Sequence, residues 1–244
     1  MTRNDVSAGD TRTAGRFGTG PLSRISALVY NLIVVELLFL VTTVPGLIGL
    51  TLLGRDASNA PLAAVCLLPV GPALTAAMYA LRHRSRDLTD LHPAAAFWRG
   101  YRLNAVPALK VWVPWLAWMT VIVLNLANFS AAGVPDWWAV LLLLVALAAT
   151  LWIVNALVIT SLFEFRAVDV ARLAAYFLLH PFRSALAVVC LLIVAAGVTL
   201  VASEAVLALL TSVFVTALLR YHRPMIDEVR ERFTRDGATA GEAG

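Results

Sequence analysis

The stretch WWAVLLLLVALAATLWIVNALVITSLF, residues 137–163, decides the class of fold, because its 27 residues include no charged side chain. A helix that crosses the hydrocarbon core of a bilayer needs about 20 mostly apolar residues. Inside that core the backbone must also satisfy its own hydrogen bonds, which an α-helix does within one segment. The stretch therefore predicts a transmembrane helix.

The whole chain shares this apolar character. Of its 244 residues, 60% are apolar or aromatic and 14% are charged, whereas about 25% are charged in a typical soluble domain. A soluble domain could not bury so much apolar surface, so the composition excludes a soluble enzyme, a disordered chain and a secreted disulfide scaffold. It also leaves too few residues for a large domain outside the membrane. The two cysteines, Cys66 and Cys190, lie within apolar runs and are interpreted as small packing residues.

Further apolar segments predict the rest of the fold, and they cover residues 25–53, 62–81, 105–129 and 184–219. As a single helix at 1.5 Å per residue, the last segment would be about 54 Å long, much longer than the hydrocarbon core of about 30 Å. We expect it to split into two helices with a turn near Ser203. The predicted fold is an all-α, polytopic transmembrane bundle of six helices.

With six spans, the basic residues predict the orientation of the bundle. Of the 19 lysines and arginines, all except Arg55 fall on one side. The positive-inside rule places that side in the cytoplasm, so we expect a multi-pass protein of the bacterial plasma membrane with both termini cytoplasmic. The lipid bilayer and its anionic headgroups are the expected partners of this charge. Nucleic acid is not expected as a partner, because no soluble module carries a basic patch.

Three regions are predicted along the chain. Residues 1–24 are polar and rich in glycine, threonine and arginine, which indicates a disordered cytoplasmic tail without the apolar core of a signal peptide. Residues 25–223 form the transmembrane domain. Residues 224–244 are expected to form a short amphipathic cytoplasmic helix followed by a disordered tail.

Two cytoplasmic loops combine aromatic residues with arginines, and each is expected to form a short interfacial helix that lays its aromatic side chains on the membrane. In the first loop Pro93 marks a helix start, and in the second Asp169 can cap a helix. Ordinary linker helices are the alternative. The residues of the first loop that we expect to contact lipid headgroups or a partner are Trp98, Arg99, Tyr101, Arg102 and Asn104.

Glu36 lies about 16 Å into the first predicted span, where an ionisable group is costly and usually faces protein or water. Two interpretations are open. Glu36 can be a proton or cation site or a hydrogen-bond partner of a substrate. Alternatively, it is a protonated acid that bonds to another helix, for example to Asn125 or Asn155. These three residues are the candidate intramembrane polar site, although interhelical hydrogen bonds explain most such amides.

Pro69, Gly71 and Pro72 predict a break in the second span, because each proline removes a backbone donor and leaves a carbonyl for another group to satisfy. Broken helices line the sites of some transporters, but proline kinks also occur in membrane proteins that transport nothing. The same span carries small residues that predict a face for close helix packing. These residues are Gly71, Ala73, Ala76, Ala77 and Ala80.

Motifs for enzymatic chemistry do not occur in the sequence. There is no Walker A sequence, no HExxH, no GxSxG and no cysteine–histidine cluster, so no enzyme, cofactor or metal site is predicted. The four histidines, including His222, fall in predicted cytoplasmic loops or ends and are interpreted as interfacial residues.

Three motifs resemble those of the YesL family of bacterial integral membrane proteins. They are ELLFLVTTVP at residues 36–45, VGPALTAAMYALR at residues 70–82 and FWRGYRLN at residues 97–104. Glu36 stands where that family usually has asparagine, so the role of that amide does not carry over. The family has no established biochemical activity, and the resemblance implies an association with carbohydrate uptake.

Two functions follow from these patterns as expectations. The first is a non-enzymatic accessory or interaction protein, associated with subunits of an ABC-type sugar transporter as the resemblance implies. The alternative is a small-solute or proton-coupled membrane transporter, which Glu36 and the break at Pro69 and Pro72 suggest.

Overall fold

The computed structural model describes residues 21–54, 56–83, 92–163, 165–179, 182–201, 206, 209–224 and 226–227. Throughout these residues the regular elements are helices, which confirms the all-α class for this part of the chain. We number the α-helices α1 Pro21–Leu52, α2 Ala60–Cys66, α3 Val70–Arg82, α4 Pro93–Ala127, α5 Phe129–Ala132, α6 Trp137–Leu162, α7 Ala167–Leu179, α8 Phe182–Val201 and α9 Thr211–Tyr221.

Three of these helices are long and apolar enough to cross a membrane, namely α1 through Ile25–Leu52, α4 and α6. Together, α2 and α3 pass the same test as one span bent by 43°. Large apolar side chains are exposed on the outer surfaces of the long helices, for example Leu37, Val41 and Leu144. These features are consistent with a membrane protein, whose outer surface faces hydrocarbon rather than water.

The predicted count of six spans is not confirmed. In the last apolar run the structure describes α8, whose apolar part, Ala185–Thr199, is shorter than a span, and α9, which has 11 residues. At 1.5 Å per residue, α9 extends about 16 Å, which is about half of the hydrocarbon core. Ser203, where the sequence predicts a turn, lies outside the described residues.

The ends of the chain are described only in part. Helix α1 begins at Pro21, inside the region predicted as a tail, in keeping with the preference for proline in the first turn of a helix. Residues 1–20 and 228–244 lie outside the described residues, so the predicted disordered tails stay predictions.

The first predicted surface helix and the third predicted span form one continuous helix, α4, which has 35 residues. Pro93 occupies its first turn, as the sequence predicts. Gly100 lies within this helix and does not interrupt it. A glycine is needed at this position because α4 packs closely against α3. A Cβ atom at Gly100 would lie 2.8 Å from the Cβ of Tyr79. Because α4 is continuous from Pro93 to Ala127, the prediction of a separate interfacial helix in this loop is wrong.

The second predicted surface helix is a separate element, α7, and it packs on the protein. Val170, Ala174 and Phe177 form its buried face. The indole N–H of Trp152 in α6 donates to the backbone oxygen of Ala171 at 3.0 Å, which holds α7 against α6. Phe177 therefore packs inside the protein rather than on a lipid surface.

Helix α3 lies at the centre of the fold, between α1, α4, α6 and α9. The small residues that the sequence singles out are buried here, and Ala73, Ala76 and Ala77 have no exposed surface. Small side chains let helix backbones approach closely, which drives association where no water is present. Larger side chains from the neighbouring helices, such as Phe97 and Ile153, complete the core.

Helix α1 crosses the end of α2 at two glycines. A Cβ atom at Gly46 would overlap the backbone oxygen of Cys66, and one at Gly49 would lie 2.6 Å from its Sγ atom. Both cysteines are free thiols; Cys66 is half-buried and Cys190 is exposed. The packing interpretation therefore fits Cys66, and Cys190 contributes to the outer surface.

Replacing Gly46 with alanine should destabilise the protein, because the Cys66 carbonyl belongs to the backbone and cannot turn away. We expect a loss of about 1–3 kcal/mol, the usual cost of overpacking, seen as a lower melting temperature in detergent. Gly197→Ala in α8 is the matched control, since nothing lies within 4 Å of the added Cβ. Helix propensity should make that control neutral or stabilising by up to about 1 kcal/mol. Equal melting temperatures for the two variants would contradict the close crossing.

Candidate functional site

Glu36 joins the first described helix to the last. Its side chain is 8% exposed, and its Oε2 atom accepts a hydrogen bond from the backbone N–H of Ser212 at 2.6 Å. Ser212 is the second residue of α9. The first N–H groups of a helix have no partner within the helix, and the helix dipole is positive at that end. The carboxylate of Glu36 therefore serves as a cap for α9 supplied by a distant part of the chain.

The other carboxyl oxygen, Oε1, is buried and has no hydrogen-bond partner among the residues that the structure describes. The structure does not bring Glu36 together with the two candidate asparagines. Asn125 is exposed and donates to the backbone oxygen of Val121 in its own helix at 2.7 Å, and Asn155 bonds to a different residue. A proton, a cation or a hydrogen-bond donor would complete the bonding of Oε1.

Asn155 pairs with His222, and this pair joins α6 to the end of α9. The Oδ1 atom of Asn155 lies 3.0 Å from the Nε2 atom of His222, and the His222 Nδ1–H donates to the backbone oxygen of Leu218 at 2.9 Å. His222 has no exposed surface. The interpretation of His222 as an interfacial residue is therefore wrong, since the ring is packed inside the protein.

Burial lowers the pKa of His222 below its ordinary value of 6.5, and the hydrogen bond to Leu218 opposes this shift. In the neutral ring the proton stays on Nδ1, and Nε2 accepts from the amide NH₂ of Asn155. In the charged ring Nε2 donates, and the amide presents its oxygen instead. A turn of the Asn155 amide can thus serve both protonation states.

The predicted break lies between α2 and α3, where Pro69 directly precedes α3 and Pro72 lies in its first turn. The backbone oxygen of Leu67 at the break accepts a hydrogen bond from the indole N–H of Trp112 in α4 at 3.0 Å. The same indole covers Gly71, where a Cβ atom would lie 2.5 Å from Trp112 Cγ. At this carbonyl the break is therefore satisfied by a donor from the protein itself.

The predicted contact residues of the first loop lie on two faces of α4. Trp98, Arg99 and Arg102 are exposed, Tyr101 is half-buried and Asn104 is buried. The rings of Trp98 and Tyr101 meet edge to face, with centroids 5.7 Å apart. We call Trp98, Arg99, Tyr101 and Arg102 the arginine–aromatic surface. Asn104 is not part of it, because its side chain points into the protein, where its Nδ2 atom has no hydrogen-bond partner among the described residues.

Sequence reasoning missed the groups that complete these contacts. A backbone N–H such as that of Ser212 has no sequence signal. Trp112 is one of seven tryptophans, and nothing in its spacing marks it as a bonding partner. His222 follows the charged Arg220 and lies beyond the last apolar run, so its position gives no signal for burial. Among the residues that the structure describes, no group of three or more histidine, cysteine or acidic side chains could hold a metal ion.

The fold and these contacts define a helical protein with helices of membrane length. A family model described as "Protein of unknown function, DUF624" matches residues 32–126. The matched segment runs from α1 into α4 and includes Glu36, the break and the arginine–aromatic surface. No curated protein and no solved structure matches the chain.

Removing the acceptor at Glu36 should destabilise the protein, because Glu36→Leu leaves the buried N–H of Ser212 without a partner. Such an unpaired group costs about 1–3 kcal/mol, which melting in detergent would detect. Glu36→Gln keeps an acceptor oxygen and should lose less. Asn125→Leu is the control, since Asn125 is exposed and bonds only within its own helix. A Glu36→Leu variant as stable as the control would contradict the capping role.

His222 should make stability depend on pH. Because the folded-state pKa is lowered, the unfolded chain takes up the proton first as the pH falls. The contribution of the neutral His222 ring to folding stability is fully present above the unfolded-state pKa of about 6.5, and it is lost as the pH drops through the folded-state pKa. The melting temperature should therefore fall as the pH is lowered from about 7.5 to about 5. It should fall less in His222→Gln.

The exposed His83 supplies the control for this measurement, because its ring bonds to the backbone oxygen of Tyr79, one turn earlier in the chain. His83→Gln should keep the pH dependence of the unaltered protein. If His222→Gln and His83→Gln give the same pH profile, the burial of His222 is not the cause.

Proposed function

We propose that the chain is a non-enzymatic accessory protein of the membrane that binds a partner through its arginine–aromatic surface. The partner class is the membrane or nucleotide-binding subunits of an ABC-type sugar importer. The observation that carries the proposal is the exposure of Trp98, Arg99 and Arg102 on one helix whose other face is buried. In this proposal the surface and both termini face the cytoplasm of a bacterial cell, as the distribution of basic residues indicates.

The composition of the surface supports a role in binding. Tryptophan, tyrosine and arginine are the residue types that most often dominate the energy of protein interfaces. Arginine also forms paired hydrogen bonds to carboxylates and phosphates. The helix that bears these side chains is held from behind by Phe97, which is fully buried, and by Gly100 against Tyr79. A surface fixed in this way loses little freedom on binding.

The partner class comes from the sequence motifs rather than from the geometry. The resemblance to the YesL family implies an association with carbohydrate uptake, and one of its three motifs, residues 97–104, contains the whole arginine–aromatic surface. The match to a domain of unknown function covers the same residues. The motif that implies the partner class therefore also forms the exposed surface.

Reversing the charge of the surface should abolish partner capture. We expect affinity purification from native membranes to recover transporter subunits with the unaltered protein and to lose them with Arg99→Glu/Arg102→Glu. Arg220→Glu, at an exposed arginine on α9, is the control and should retain them. Failure of the unaltered protein to recover a transporter subunit, with normal growth of a deletion strain on every sugar tested, would overturn the proposal.

A second candidate function is a proton-coupled transporter of a small solute. The Oε1 atom of Glu36, which has no hydrogen-bond partner in the described part of the chain, favours it, because buried acidic groups within membranes commonly serve as proton relays. Glu36→Gln should abolish solute flux into proteoliposomes while the variant stays folded. Unchanged flux in that variant would remove Glu36 from the mechanism, and no flux of any solute by the unaltered protein would remove the candidate.

A further inference from the structure

A cavity of about 420 Å³ lies among α1, α3, α6, α8 and α9. The lining residues that the structure describes are apolar apart from two threonines, for example Phe39 from α1, Leu74 from α3, Leu157 from α6, Leu191 from α8 and Val215 from α9. Glu36 and the arginine–aromatic surface do not line it, so the cavity is distinct from the groups considered above.

The wall offers almost nothing to a polar ligand. Thr43 and Thr211 supply the hydroxyl groups among the lining residues, and the Thr43 hydroxyl already donates to the backbone oxygen of Phe39 at 2.8 Å. A buried water needs two to four polar partners, and apolar cavities stay free of water but take up apolar guests. Sugars, ions and water are therefore poor occupants.

An empty cavity of this size would be unfavourable, because the lining atoms would lose their van der Waals partners on one side. An apolar cavity of about 150 Å³ takes up benzene. By that measure the cavity holds a guest on the order of 15 carbons, which is the size of one lipid acyl chain. Hydrocarbon chains also surround any helix of membrane length, so this guest is present at the highest concentration.

We infer that the cavity binds one acyl chain of a membrane phospholipid. Among the described lining residues none is basic, so the wall provides no partner for the carboxylate of a free fatty acid. A phospholipid can insert its chain and leave its headgroup outside. The first residue of α9, Thr211, belongs to the wall, and the bound chain would therefore pack against the start of the helix that Glu36 caps. This inference does not rest on the proposed function.

Photo-crosslinking of the full-length protein in nanodiscs tests the inference. The probe is phosphatidylcholine with a diazirine in its acyl chain, and crosslinked residues are mapped by mass spectrometry. We expect crosslinks at lining residues such as Leu191 and Val215. Val154→Trp combined with Ala195→Phe takes up much of the cavity from α6 and α8, so that a full acyl chain no longer fits, and should remove these crosslinks. Val140→Trp on the exposed side of α6 should leave them unchanged.

If the double variant does not fold, as judged by size-exclusion chromatography, each single variant replaces it and should lower the yield of these crosslinks, because it takes up part of the cavity. Crosslinks confined to exposed residues such as Leu143 and Leu144 would overturn the inference. Crosslinks to lining residues that persist in a folded variant with a filled cavity would also overturn it. In a parallel arm, labelling of the wall by diazirine-bearing palmitic acid but not by the phospholipid would identify a free fatty acid as the guest and overturn the phospholipid assignment.

Discussion

The small-residue face of α3 is the constraint on which the rest of the structure depends. Between membrane helices the hydrophobic effect gives no driving force, so close van der Waals packing must hold them together. Ala73, Ala76 and Ala77 have no exposed surface, and α1, α4, α6 and α9 all contact this helix. The same requirement recurs at Gly46 and Gly100, where a neighbouring helix occupies the space that a side chain would need.

Polar contacts then fix where the later helices sit. Glu36 and Ser212 are 176 residues apart, and Asn155 and His222 are 67 residues apart. Both bonds end on α9 or directly after it, so this short helix is held at its beginning by α1 and at its end by α6. Helix α9 also packs against α3 and buries Val215, Leu218 and Leu219, so the two bonds add to this packing at its two ends.

The sequence predicts well what depends on local composition. The apolar runs locate α1, α4 and α6, and the prolines mark the place where α2 and α3 separate. Prediction fails where the outcome depends on distant neighbours. The sequence predicts a surface helix separate from the third span, whereas one helix, α4, includes both and packs closely against Tyr79 of α3 at Gly100.

The candidate polar residues show the same division. Glu36 and Asn155 are buried, whereas Asn125, which also lies in an apolar run, is exposed. The partners of the two buried residues are a backbone N–H and a histidine from the last part of the chain. The periodicity of the sequence does not indicate either of these partners. The exposed side of residues 97–104 was predictable, whereas the burial of Asn104 follows from the way α4 packs.

The bond between Glu36 and Ser212 also sets an order of events during biosynthesis. The chain is made from its N-terminus, so α1 is complete long before Ser212 leaves the ribosome, and the Glu36 carboxyl cannot form this bond during that interval. With a mean hydropathy of 2.2, α1 is apolar enough to cross a membrane despite this acid. A chain that stops short of α9 therefore leaves the Glu36 carboxyl without the N–H of Ser212.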